Sequence, residues 1–378
     1  MLKNHANFHF EKLDQLRGVA ILAVLLHHLT IFSPGAGLAS RLYQSFSEFS
    51  SHGVDLFFVL SGFLLVRTLP EVPESDWLIS FWIRRAAKIL PLYALVLATV
   101  TTIAPTVLSF AGFAIKSATL LNGSSDWPWH ALFATNWLFF REGSFTNPLL
   151  NVAWSLGVEV QFYLVLSLAF VAGFARSPRF WLGLALAAVV GRCIGVALEW
   201  NWVCLLNFTP GRLDAFAAGA LVALRPNWFS RPVRILGAAI LCAPLLLVWS
   251  RESLWLQTVG YSWVALGAAV AVHTAAIPKS TERGKRRHDG LTLLGRISYS
   301  IYLSHIVVRS LVRDVFLPPA RTLDHASDWA RLVAYITAGG CLAVILGWLV
   351  WRWIEKPAQK FLLNRTQGSE SSPENRYS

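Results

Sequence analysis

Long apolar runs, separated by short polar breaks, recur from one end of the chain to the other. Runs of this kind predict membrane-spanning helices, because about 20 consecutive apolar residues cross the hydrocarbon core. Ten spans fit the pattern: 13–32, 51–69, 89–107, 149–172, 180–198, 209–224, 235–249, 256–277, 291–311 and 330–351. The expected fold is therefore an all-α polytopic membrane protein. The break holding Arg41 and Glu48 reads as a loop, and 108–148 as a long external segment with Trp127, Trp129 and Trp137.

Charge orients this pattern. Arg67, Arg84, Arg85 and Lys88 fall in one break, Arg176 and Arg179 in another, and Lys279, Arg283, Lys285, Arg286 and Arg287 in a third. Cationic breaks in alternation place those loops and both termini in the cytoplasm. A multi-pass cell-membrane protein follows, with a bacterial inner membrane as the expected setting. The chain divides into a cytoplasmic segment 1–12, a membrane domain 13–361 and a polar tail 362–378 expected to be disordered.

Composition supports the membrane reading, with 55% hydrophobic and 14% charged residues and a mean hydropathy of +0.50. A net charge of +12 could suggest nucleic acid, but its loop-wise distribution excludes that partner. The first apolar run follows a polar stretch and is long, so it is expected to be a retained span. The four cysteines, Cys193, Cys204, Cys242 and Cys341, lie scattered in apolar segments. Their spacing suggests neither a metal site nor a disulfide framework.

Ionisable residues within apolar runs are the candidate chemistry, since each is costly unless it faces protein or water. In LDQLRGVAILAVLLHHL, Arg17 and His28 are eleven residues apart. That spacing is three helical turns plus about 20°, so the two share a face with Asp14, offset by roughly 16 Å along the axis. A histidine can take a proton from a hydroxyl and return it to a leaving group. His27 competes with it, about 100° round the helix. Asp55, three residues after His52, needs a cationic partner from another span, whereas Ser61-Gly62 reads as close packing.

Further clusters follow. Arg84, Arg85 and Lys88 suit a cytoplasmic phosphate site, or simply anchor the helix end. Ser155, Glu159 and Tyr163 lie along one helical face, and Glu159 could orient a histidine. Arg212 and Asp214 sit at the outer mouth of the sixth expected span. Ser298, Tyr302 and His305 form a polar stripe that lines a cavity or glues helices. GxxxxGK[ST], GxSxG and HExxH motifs are absent, which removes the soluble nucleotide, hydrolase and zinc-protease templates.

Taken in order, LRGVAILAVLLHH, GVDLFFVLSGF, RRAAKILPLY, WSLGVEVQFYL, RLDAFAAG, GRISYSIYLSH and WRWIEKP resemble the acyltransferase-3 family of integral-membrane O-acyltransferases, from about residue 10 to 361. The resemblance implies transfer of an acyl group, commonly acetyl, to a hydroxyl. It favours His28 over His27, because the family pattern is Arg, ten residues, then His. It also assigns the third-span cations to the donor. There the family has Arg-x-x-Arg and this chain has Arg85-Ala-Ala-Lys88, which keeps the charge but loses the guanidinium fork.

The implied site has His28 as general base with Glu159 in support, and Arg17, Arg84, Arg85 and Lys88 around the donor. Asp55, Ser155, Arg212, Asp214, Tyr302 and His305 would line the cavity or acceptor site. The expected partners are the bilayer, acyl-CoA (above all acetyl-CoA) as donor substrate, and a glycan, glycolipid or small-molecule hydroxyl acceptor. No metal or permanently bound cofactor is expected. Two rivals use the same residue types: a proton-coupled transporter, against which no inverted repeat or pair of broken helices is visible in the sequence, and a catalytically inert scaffold.

Overall fold

The computed structural model describes residues 11–30, 37–70, 75–103, 126–242, 250–277, 289–316 and 326–370. Among the described residues every regular element is helical, which is how a backbone without water partners satisfies its own polar groups in lipid. In chain order the α-helices are α1 (Glu11–Leu29), α2 (Leu38–Ser50), α3 (Gly53–Arg67), α4 (Ser75–Ala98), α5 (Trp127–Ala131), α6 (Thr135–Glu142), α7 (Ala153–Val171) and α8 (Pro178–Ala197). They continue with α9 (Trp202–Asn207), α10 (Leu213–Leu224), α11 (Arg231–Cys242), α12 (Tyr261–Ala276), α13 (Gly290–Arg296), α14 (Ser298–Phe316), α15 (Ala326–Val350) and α16 (Lys356–Glu370).

Among the described residues five helical stretches are long and apolar enough to cross a membrane: Leu38–Arg67, Ala153–Val171, Pro178–Ala197, Leu256–Ala276 and Trp329–Asn364. A sixth is the pair α13 and α14, bent by 82°. Among the described residues the span criterion is thus met at five or six places. The polar first turns of α1, with Glu11, Lys12, Asp14 and Arg17, leave it short of an uncharged span. The expected span 209–224 divides into a 3-10 turn, Thr209–Arg212, and the short α10. The expected spans 89–107 and 235–249 run into residues outside those described.

Three stretches read as irregular are helical in part. The break holding Arg41 and Glu48 contains α2, whose Ser40, Ser45, Ser47 and Ser50 are buried while Leu38, Leu42 and Phe46 face outward. Serine replaces the usual apolar inner face there, which hides the helix from a reading based on polarity alone. In the segment 108–148, the described portion forms α5 and α6; Asn136 Nδ2 donates to the Asn207 carbonyl at 3.0 Å and to Thr209 Oγ1 at 2.8 Å. Finally, α16 carries the chain helically through Glu370, nine residues past the expected boundary at 361. Its Ala, Gln, Lys and Leu residues are good helix formers. The rest of the tail, 371–378, lies outside the described residues.

The core forms around α3 and α10, which pack more extensively than any other pair. Their backbones touch because each offers a glycine. A Cβ on Gly62 would stand 2.1 Å from the Phe216 carbonyl oxygen, and one on Gly219 would stand 2.0 Å from that of Val59. Small residues permit such contact where no hydrophobic force draws helices together in lipid. Phe216 then stacks on Phe58 and on Phe162, tying α7 to the pair. On the other side, α1 packs against α3, α12, α13, α14 and α15. That central position lets one helix border two separate cavities.

Candidate active site

The first cavity, about 90 Å³, lies among α1, α3, α4, α7 and α14. Its polar lining comes from Arg17, Ser61, Lys88, Ser155, Glu159 and Tyr163, with Ser298, Tyr299 and Tyr302 from α14. Glu159 accepts hydrogen bonds on one oxygen, Oε1, from Ser61 Oγ at 2.7 Å and Tyr163 Oη at 2.8 Å. Lys88 has no ion pair among the described residues; it lies within electrostatic reach of Arg17, Arg85, Glu159 and Glu355. Arg17 is held by Asp14 at 2.9 Å, one turn earlier on α1. Arg85 sits over the rings of Phe81 and Tyr163 at 5.8 and 5.9 Å and Arg84 is exposed; neither lines a cavity.

The second cavity, about 270 Å³, opens beyond the other end of α1 and is lined by His27, His28, His52, Asp55, Arg212, Arg251 and Arg309 among other residues. The two adjacent histidines are separated here by their partners. His27 Nδ1 donates to the Ser47 carbonyl at 2.9 Å, and its Nε2 accepts from Arg251 Nη2 at 2.5 Å, so both ring nitrogens are engaged. His28 Nδ1 donates to the Val24 carbonyl at 3.0 Å. That bond fixes the tautomer and leaves the Nε2 lone pair available as a base. The His305 ring lies 4.8 Å from that of His28, with its own Nδ1 held by the Tyr302 carbonyl at 2.7 Å and a buried Nε2 that has no hydrogen bond.

Asp55 finds the cationic partner expected of it. The Arg212 guanidinium pairs with one oxygen, and His52 Nδ1 donates to the other at 2.7 Å. Arg212 also lies 3.9 Å above the Tyr261 ring. Asp214 faces away from this cluster: it pairs with the fully buried Arg192 at 2.9 Å, accepts from Ser262 Oγ at 2.5 Å, and lines neither cavity. The two residues at 212 and 214 point in different directions because they are about 200° apart round a helix.

Val54 and Tyr302 line both cavities. Tyr302 Oη is 2.6 Å from Ser155 Oγ and donates to the Val152 carbonyl at 3.1 Å, forming a polar seam where the cavities meet. One expected contact is replaced across this seam. Glu159 lines the first cavity and His28 the second, so the carboxylate is held by Ser61 and Tyr163 instead of orienting the imidazole. Ser61 therefore bonds to a carboxylate, while its neighbour Gly62 provides the close packing.

Glu355 was not singled out by sequence. It is 4% exposed and accepts from Ser300 Oγ at 2.5 Å and from Gln359 Nε2 at 3.0 Å. The π-helical turn Trp351–Glu355 turns it inward, which a 3.6-residue period does not anticipate. Its presence in the WRWIEKP block was the available signal. Arg251 and Arg309 fall outside every motif; the spacing of Arg309, one turn beyond His305 on the Ser298–Tyr302–His305 stripe, was the available signal for it, and Arg251 has none. Among the described residues no group of three or more His, Cys, Asp or Glu is placed to hold a metal ion.

Comparison with known proteins gives a consistent picture. The sequence profile of a family described as "Acyltransferase domain", type 3, matches residues 10–352. The chain is 27% identical over 383 residues to a peptidoglycan O-acetyltransferase of Listeria monocytogenes, covering 92% of this chain and 55% of that protein. It is 25% identical over 393 residues to a "Putative peptidoglycan O-acetyltransferase" of Bacillus subtilis, with 95% and 55% covered. A "Putative O-acetyltransferase" of Staphylococcus aureus strain COL is 24% identical over 376 residues, with 92% and 57% covered. The chain spans a little over half the length of these curated relatives. No solved structure is significantly similar to it.

Proposed function

The chain belongs to the acyltransferase-3 family, and from that premise we propose that it is an O-acetyltransferase whose donor is cytosolic acetyl-CoA and whose acceptor is a hydroxyl compound on the opposite side of the membrane. The observation that carries this reading is the placement of α1 between two cavities of different chemistry, with Arg17 in one and His28 in the other. The first offers cations to a multiply charged donor; the second offers a base whose tautomer is already set. The topology that accompanies the proposal has ten crossings of a bacterial inner membrane and both termini in the cytoplasm.

In this mechanism the CoA phosphates stay at the cytoplasmic mouth, drawn by Lys88, Arg17 and Arg85. The nucleotide stays with its phosphates at that mouth, and the thin pantetheine arm enters the first cavity toward the Tyr302 seam. His28 Nε2 takes the proton of the acceptor hydroxyl while its oxygen attacks the thioester carbonyl. When the tetrahedral intermediate collapses, the C–S bond breaks and the imidazolium returns the proton to the departing thiolate. The products are the O-acetyl ester and free CoA. Glu159 acts in the donor half, balancing the cations through Lys88.

The test is transfer of radiolabelled acetyl from acetyl-CoA in vesicles containing the purified protein and a panel of hydroxyl acceptors. Ester labelling is expected, with loss in His28→Ala and retention in a correctly folded His27→Ala. Proton flux on addition of a solute, with no labelled ester and no CoA release, would establish the transporter instead. Full transfer by His28→Ala would overturn the assignment of the base.

A further inference from the structure

Three arginines border the second cavity, and only two are matched by carboxylates. Arg212 is paired with Asp55. Arg251 is paired with Glu48 at 2.5 Å through Nε and also bonds His27. Arg309 has no carboxylate partner among the described residues, and its buried Nε has no hydrogen bond; Tyr335 is the group beside its guanidinium. Asp55 is the single acidic residue in the cavity wall among the described residues. A guanidinium partly withdrawn from water, with its Nε buried and no anion gained, is costly to hold in a membrane protein. It is stabilised when a ligand brings the missing negative charge.

The rest of the wall narrows the ligand. Trp154, Trp202, Tyr261 and Phe145 face the same space, and aromatic faces pack well on the apolar face of a ring while leaving its hydroxyls to polar groups. On α14, Arg309 is one turn beyond His305, whose ring contacts that of His28. An anionic group held by Arg309 would therefore fix a ring within reach of the base.

We infer that the second cavity is an acceptor site for a hydroxyl compound carrying an anionic group, a carboxylate or a phosphate monoester, with Arg309 as its anion-binding residue. The acetylation step rests on the function proposed above; the binding preference does not. An anionic acceptor closes the charge imbalance of the cavity, whereas a neutral sugar leaves Arg309 unmatched. The fork of the guanidinium suits either anion.

The experiment measures binding of three probes to the purified full chain by quenching of tryptophan fluorescence, since Trp154 and Trp202 lie in the wall. The probes are methyl glucoside, methyl glucuronide and methyl glucoside 6-phosphate. At least one anionic probe is expected to bind about tenfold or more tightly than the neutral one. Arg309→Gln should abolish that preference and Arg309→Lys should keep most of it. The glucuronide and phosphate arms identify which anion is preferred. Equal binding of all three probes, binding of none, or a preference unchanged in Arg309→Gln overturns the inference. Anion-selective binding together with no acetyl transfer to any acceptor would overturn the acetyltransferase reading and leave this one standing.

Discussion

The two cavities that α1 borders are built on opposite principles. In the first, the carboxylate of Glu159 is held by hydroxyls, from Ser61 and Tyr163, while Lys88 has no ion pair among the described residues. In the second, Asp55 and Glu48 are taken up by Arg212 and Arg251, and the groups left available are the Nε2 lone pair of His28 and the guanidinium of Arg309. A site with spare cations suits a polyanionic donor that must bind and leave. A site with a spare base beside one cation suits proton transfer from an acceptor held in place. The difference assigns binding and chemistry to separate regions, and kinetics can separate them in the same way.

His28→Ala gives the largest expected effect. Loss of a positioned general base costs about a thousandfold in kcat, with the KM for acetyl-CoA changed by less than about threefold. Steady-state transfer assays on folded variants, checked by size exclusion, read both parameters. His27→Ala should retain far more activity, since its ring is already engaged by Ser47 and Arg251. An equal loss in both variants would break the distinction drawn between the two rings.

Lys88→Ala and Arg17→Ala should behave in the converse way. Each is expected to raise the KM for acetyl-CoA about tenfold while leaving kcat within a fewfold of its starting value. Lys88→Arg, which restores a fork at that position, should bind the donor at least as well as the native chain. If Lys88→Ala instead lowered kcat with no change in KM, the first cavity would belong to the chemistry and the contrast would fail.

At the seam, Tyr302→Phe removes the hydroxyl that meets Ser155 Oγ and the Val152 carbonyl. One hydrogen bond is worth about 1 kcal/mol, so its loss should raise wasteful hydrolysis of acetyl-CoA about fivefold, with transfer less affected. Release of CoA without acceptor present measures it. An unchanged rate would mean that the tyrosine only packs between the cavities.

Much of the site was legible because helical periodicity survives in membranes. The eleven-residue spacing of Arg17 and His28, and the four-residue steps from Ser155 to Glu159 to Tyr163, predicted shared faces that the structure keeps. What periodicity lacks is the partner across the interface. Glu159 was free to support a histidine until α3 placed Ser61 against it. Glu355 was hidden by a π-turn, and α2 by a serine face. The close passage of α3 over α10 likewise depends on two glycines meeting from distant parts of the chain, Gly62 and Gly219. Single-helix patterns do not encode such meetings.

Arg84→Ala should be the weakest of the changes. The residue adjoins Arg85 in sequence, yet it is exposed and lines neither cavity. An exposed cation contributes at most about 1 kcal/mol to a charged contact, and here it would act only through the general field at the cytoplasmic mouth. Its effect should therefore fade as salt screens that field. The KM for acetyl-CoA is expected to change by no more than about fivefold at low ionic strength and to approach the native value at 0.15 M salt. The rise in Lys88→Ala should persist at that salt, because Lys88 lines the first cavity and is partly shielded from solvent. Salt titration of both variants makes the comparison direct. Equal, salt-insensitive defects would place the donor site on the whole cationic surface rather than in the first cavity.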